Sequence, residues 1–72
     1  MNKEQFLEEL TEILQLENLV DEQTVLSDLE EWDSMAHLGV ISFFDMEFSK
    51  SITNTDLKQV GTVSELIVLA GL

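Results

Sequence analysis

The nucleophilic side chain around which this 72-residue sequence is organised is Ser34, set where the backbone would help its chemistry. In Glu31-Trp32-Asp33-Ser34-Met35 an acidic stretch gives way to a proline-free apolar run that ends near Phe48. Asp is a strong N-cap, its carboxylate accepting a hydrogen bond from a first-turn amide, so a helix is expected to begin here with Ser34 in its first turn. A hydroxyl in that position lies beside unpaired N–H groups and the positive end of the helix dipole. A phosphodiester carried there is electrostatically favoured even in an acidic protein. The plainer alternative is capping alone, since Asp and Ser both start helices well.

Other chemistries find less support. Asp28, Glu30, Glu31 and Asp33 make an acid-rich run, but the spacing and central glycine of a calcium-binding EF-hand loop are missing, so no metal site is expected. His37, the single histidine, has no second His, no Cys and no evident base partner, and it reads as structural. The absence of cysteine excludes disulfides, Cys-type zinc sites and thiol catalysis within these residues, so a reactive thiol would have to be imported. With no base–nucleophile pair and no glycine-rich phosphate loop, the chain is not expected to be an enzyme.

Composition narrows the choice of partner. Fifteen acidic residues against three basic ones give a net charge of −12. Direct nucleic-acid binding needs a positive footprint and is not expected; protein partners should present basic patches. The hydrophobic content of 44% is too high for the charged, weakly hydrophobic class of disordered chains. A single folded domain over residues 1–72 is therefore expected, near the size at which one core becomes marginal. Acidity is concentrated ahead of the serine: residues 1–33 hold eleven acids and Lys3, a net charge of −10. No basic segment followed by an apolar run opens the sequence and no apolar stretch approaches membrane-spanning length, so a soluble, cytoplasmic protein without membrane insertion is expected.

The elements that would position Ser34 follow from the hydrophobic spacing. Asn2 and Gln5 make a helix start, and Phe6, Leu7, Leu10, Ile13 and Leu14 recur at helical spacing to about Leu16. Residues 17–32 keep no period, so a long loop is expected, pinned by Leu19, Val20, Val25, Leu26, Leu29 and Trp32. A second helix should run from Ser34 to about Phe48. At about 100° per residue, Leu38, Val40, Ile41, Phe44 and Phe48 share its core arc. The opposite arc carries Met35, Gly39, Phe43 and Met46, with Ser42 and Glu47, and is either an exposed binding strip or a surface covered by the loop. Thr53 and Asp56 can cap a short third helix that contains Leu57 and stops at Gly61. Thr62-Val63-Ser64-Glu65 reads as a capping box for a last helix through Ala70 to Gly71. No alternation of period two persists, so the fold class expected is all-α, a small four-helix bundle of three main helices and a short third.

The pattern Asp33-Ser34-Met35, then Leu38, Val40, Ile41, Phe44 and Phe48, then Ile52, then Val60-Gly61-Thr62-Val63, resembles the acyl carrier protein family across essentially the whole chain. In that family an Asp-Ser-Leu or Asp-Ser-Met serine carries 4′-phosphopantetheine. The resemblance implies that Ser34 is the attachment site, Asp33 its usual neighbour and Met35 a contact for partner enzymes. Gly39, Phe43, Asp45, Met46 and Glu47 would complete the partner-binding face. It further implies a monomer that is loaded by a phosphopantetheinyl transferase from coenzyme A and serves acyl-loading and acyl-transferring enzymes with basic docking patches. Members serving fatty-acid synthesis usually carry acids two and five places after the serine, where this chain has Ala36 and Gly39. Asp45 and Glu47 match later acidic positions, but Met46 does not. A specialised free-standing carrier, for polyketide-like, amino-acyl or saccharide-modifying chemistry, is thus favoured over the primary fatty-acid carrier. An unmodified acidic helical adaptor that binds a basic protein is the alternative of a different class.

Overall fold

The computed structural model describes all 72 residues and contains four α-helices and no β-sheet: α1 (Lys3–Leu14), α2 (Ser34–Phe48), α3 (Asn54–Gln59) and α4 (Val63–Ala70). A cluster of fifteen buried hydrophobic residues forms the core, drawn from every helix and from the segments between them. No polar side chain is buried with it.

Three of the four helices, α1, α2 and α3, have a local reason to begin where they do. The Asn2 side chain accepts from the Gln5 N–H at 2.8 Å while Gln5 Oε1 accepts from the Asn2 N–H at 3.1 Å, a reciprocal cap for α1. Phe6, Leu10 and Leu14 then fall on one stripe and are buried, and Gln15 ends the helix in the left-handed region at φ 57°. Thr53 and Asp56 make the same reciprocal cap for α3.

The start of α4 departs from expectation. Thr62 makes no side-chain cap, and the Glu65 carboxylate accepts from the Gly61 N–H at 3.1 Å instead of closing a box with Thr62. The first two amides of the helix are satisfied from elsewhere in the chain, Val63 N–H donating to Thr24 O at 3.0 Å and Ser64 N–H to Glu22 O at 2.9 Å, while the Glu65 N–H donates to the Thr62 backbone carbonyl at 3.1 Å. Leu26 N–H donates to Gly61 O at 2.9 Å, and Val25 pairs with Thr62 in an isolated antiparallel bridge. Backbone carbonyls, two from a distant segment and one from Thr62 itself, thus do the work assigned to a local hydroxyl.

Between α1 and α2 there is no α-helix, only a 3-10 turn at Leu26–Asp28. Val20 and Leu26 are buried, and Leu29 and Trp32 pack partly against the core. The Val20 N–H also donates to Thr11 Oγ1 at 3.1 Å, tying the segment to α1. Leu19 and Val25 do not act as pins, because both are exposed. Val25 is extended and bridged to Thr62, so its side chain points opposite to that of the buried Leu26.

The faces of α2 also differ from the sequence reading. Val40 and Phe44 are fully buried and Ile41 and Phe48 partly so, but Leu38 is 62% exposed, while Ala36 and Phe43 are core residues. The cause is the position of α1. The Phe6 ring lies 5.6 Å from that of Phe43 and 6.1 Å from those of Phe44 and Phe48, so α1 covers the Ala36–Gly39–Phe43 side and leaves Leu38 outside. Phe6, Phe43, Phe44 and Phe48 form one aromatic cluster with tilted and edge-on contacts.

Candidate functional site

Asp33 is extended at φ −118° and ψ −172°, and its side chain accepts from the Ala36 N–H at 3.0 Å, so it is the N-cap of α2. Its own carbonyl accepts from the His37 N–H at 2.9 Å. These two bonds use the third and fourth amides of the helix. The N–H groups of Ser34 and Met35 have no acceptor in the protein. Ser34 is exposed and no acidic residue lies in the first turn of α2 itself. The result is an accessible hydroxyl next to two free amides at the positive end of a fifteen-residue helix.

The approach to this turn is held from both sides. Trp32 N–H donates to Leu29 O at 3.1 Å and Asp33 N–H to Glu31 O at 3.0 Å. The Trp32 ring then meets the His37 ring edge-on, with centroids 4.6 Å apart, which fastens the incoming chain to the first turn of the helix. His37 is a packing residue here. Its Nε2 is buried without a hydrogen-bond partner, and no hydrogen bond joins it to Ser34. The Ser34 hydroxyl therefore has no base in His37.

The sequence-derived binding strip is divided by the fold. Met35 and Met46 are each 80% exposed, and Asp45 and Glu47 are exposed beside them. Phe43 is only 8% exposed and belongs to the core. Gly39 is half-buried against α1, where a β-carbon would come within 2.9 Å of Ile13 Cγ2. The residue missed is Leu38. It shares the outward arc of α2 with Met35, Ser42, Asp45 and Met46, so the exposed face is apolar along Met35, Leu38 and Met46. Centring the arc on the polar Ser42 and Asp45 would have found it, because Leu38 lies about 40° from Ser42 at helical spacing.

No group of three or more His, Cys, Asp or Glu side chains is arranged to hold a metal ion, and no helix is long and apolar enough to cross a membrane. Compared with protein-family models, curated proteins and solved structures, the chain matches none.

Proposed function

We propose that this protein is a carrier that holds acyl intermediates on a 4′-phosphopantetheine arm esterified to Ser34 and presents them to partner enzymes. One observation carries the reading: an exposed serine hydroxyl in the first turn of α2, with the Ser34 and Met35 amides free and Asp33 occupied in capping. That donor set fits a phosphodiester, whose negative charge meets N–H groups and a helix dipole, the one carboxylate at the turn, Asp33, being engaged with the Ala36 N–H. When bound, the group supplies the thiol that this cysteine-free chain lacks, and with it a site for a thioester.

The chain's own residues contribute position. Asp33 and the Trp32–His37 contact hold the first turn of α2, so the tether has a fixed root. Met35 and Leu38 beside Ser34 offer an apolar footing to the phosphopantetheinyl transferase and to acyl-loading and acyl-transferring enzymes, whose basic docking patches would meet Asp45 and the acids before Ser34. A tether on a weakly docked carrier raises the local concentration of substrate while leaving release fast enough for handover.

The order of helix, long loop, serine-led helix, short helix and last helix agrees with the carrier resemblance. Ala36 is buried and Gly39 is packed against Ile13, so the two positions where fatty-acid carriers are acidic serve the core here. This supports a specialised free-standing carrier, for polyketide-like, amino-acyl or saccharide-modifying chemistry. The exposed Met35–Leu38–Met46 face would equally serve an unmodified acidic adaptor. Incubation with coenzyme A and a broad-specificity phosphopantetheinyl transferase, followed by intact mass measurement, separates the two: the carrier gains one arm and the adaptor gains nothing.

A further inference from the structure

The sulfur of this chain lies entirely outside its core. There is no cysteine, and none of the three methionines is among the fifteen buried residues, which are all Phe, Leu, Ile, Val or Ala. Met1 is exposed at the N-terminus, and Met35 and Met46, both on α2, are each 80% exposed. At about 100° per residue the eleven positions from Met35 to Met46 bring the second side chain back to within about 20° of the first around the helix axis. About 17 Å of helix rise separates them. Ser42 lies between them on this stripe, and Leu38 is exposed to one side. Two of the three large apolar side chains that α2 leaves exposed are therefore thioethers in contact with solvent.

We propose that Met35 and Met46 form a paired site of reversible oxidation, each taking one oxygen atom from a peroxide, and that the two sulfoxides switch off docking on the outward face of α2 while the fold persists. The switch rests on the carrier reading of that face and adds to it a control by oxidant. In the forward step a sulfur lone pair forms an S–O bond to one oxygen of hydrogen peroxide, the O–O bond breaks, and the second oxygen leaves as water with both protons. The thioether is oxidised and the peroxide reduced. In the reverse step two thiols of a dithiol reductant supply two electrons and two protons, the sulfoxide oxygen leaves as water, and a disulfide forms in the reductant. Each sulfoxide places a strong hydrogen-bond acceptor where the surface was apolar, and the net charge stays at −12. Leu38 is then the one large exposed apolar side chain left on α2. The core has no sulfur to oxidise, and no cysteine competes for the oxidant, so the change is confined to the surface.

The test treats the full-length protein with hydrogen peroxide, removes the excess with catalase, and compares wild type with a double variant, Met35→Leu with Met46→Leu, whose side chains have nearly the same volume but accept no oxygen. Peptide mapping should place one oxygen on each of Met35 and Met46, with helical circular dichroism retained. The two methionine sulfoxide reductases, one for each epimer, should restore the original mass. Loading of Ser34 by a broad-specificity phosphopantetheinyl transferase should lose about tenfold in kcat/KM on oxidation, mainly through KM, and recover on reduction. The salt dependence of that rate should not change, because apolar contact is removed and charge is not. Retention of the folded protein on a phenyl matrix should fall in parallel. In the double variant, loading and retention should each be the same before and after peroxide, whatever their starting values. Unfolding by peroxide, failure of either methionine to oxidise, unchanged loading of fully oxidised wild type, or equal losses in the double variant would overturn the inference. A wild type that is never loaded, oxidised or not, overturns the carrier reading instead, and mapping, reversal and retention then decide the oxidation site.

Discussion

Gly39 of α2 and Ile13 of α1 meet so closely that a β-carbon on Gly39 would lie 2.9 Å from Ile13 Cγ2. Two effects of Gly39→Ala therefore oppose each other. Removing glycine from a helix interior gains about 1 kcal/mol, whereas forcing a methyl group against a β-branched side chain with one preferred rotamer costs about 1–3 kcal/mol. Gly39→Ala alone is expected to be neutral or destabilising by up to about 2 kcal/mol, and the same change in an Ile13→Ala background to stabilise by about 1 kcal/mol. Urea denaturation of the four proteins reads this coupling, and a stabilising effect of equal size in both backgrounds would show that the helices yield freely.

The Asp33 cap can be tested apart from any modification. Asp33→Ala removes the acceptor for the Ala36 N–H and should cost about 1 kcal/mol, while Asp33→Asn keeps an acceptor and should change stability by only a few tenths. Chemical denaturation is again the measurement. An equal loss in both variants would assign the role to the charge of Asp33 and not to its hydrogen bond.

Salt should stabilise the fold. Residues 1–33 carry eleven acids and one lysine, and the only ion pair in the protein joins Lys3 to Glu22, both well exposed, at 3.7 Å. Such a pair contributes little, so self-repulsion among the acids opposes compaction and is screened as ionic strength rises. The melting midpoint is expected to climb between low and moderate salt. A flat or falling midpoint would mean that the acids are spaced too far apart to matter.

On α2, stability and docking should separate by residue. Met35→Ala, Leu38→Ala and Met46→Ala alter exposed side chains and should stay within about 0.5 kcal/mol of wild type, whereas Phe43→Ala opens the aromatic cluster and should cost about 3–5 kcal/mol. If the outward face receives the enzymes that load and unload the carrier, Met35→Ala and Met46→Ala should weaken docking of the modified protein more than Glu47→Ala does, since desolvated apolar contacts hold affinity and rim charges mainly set association rate. Binding titrations with circular dichroism on the same samples check both halves. Dominance of Glu47 would point to purely electrostatic docking.

What the sequence made legible is what depends on neighbours along the chain. The Asn2–Gln5 and Thr53–Asp56 boxes, the Asp33 cap and the extent of α2 each rest on contacts three or four residues apart, which spacing reveals. The misplaced residues depend on what comes from far away. Leu38 and Phe43 exchange roles because α1 crosses α2 on the Gly39 side, and helical periodicity alone gives the phase of an amphipathic face poorly when a helix is apolar nearly all round. The Thr62 hydroxyl makes no cap: Thr24 and Glu22, some forty residues earlier, accept from the Val63 and Ser64 amides, and the Thr62 carbonyl accepts from Glu65 N–H. Val25 is turned outward by the same pairing. At the candidate site the serine and its cap were readable, whereas the division of Met35, Gly39, Phe43 and Met46 into exposed and packed residues required both helices in place.

The central claim rests on Ser34, and intact mass spectrometry with peptide mapping tests it most directly. After incubation with coenzyme A and a broad-specificity phosphopantetheinyl transferase, the wild-type protein should gain a single phosphopantetheinyl group that maps to Ser34, and Ser34→Ala should gain none while keeping its helical circular dichroism. An unmodified wild type, or the group mapped to Ser27 or Ser42, would contradict the account.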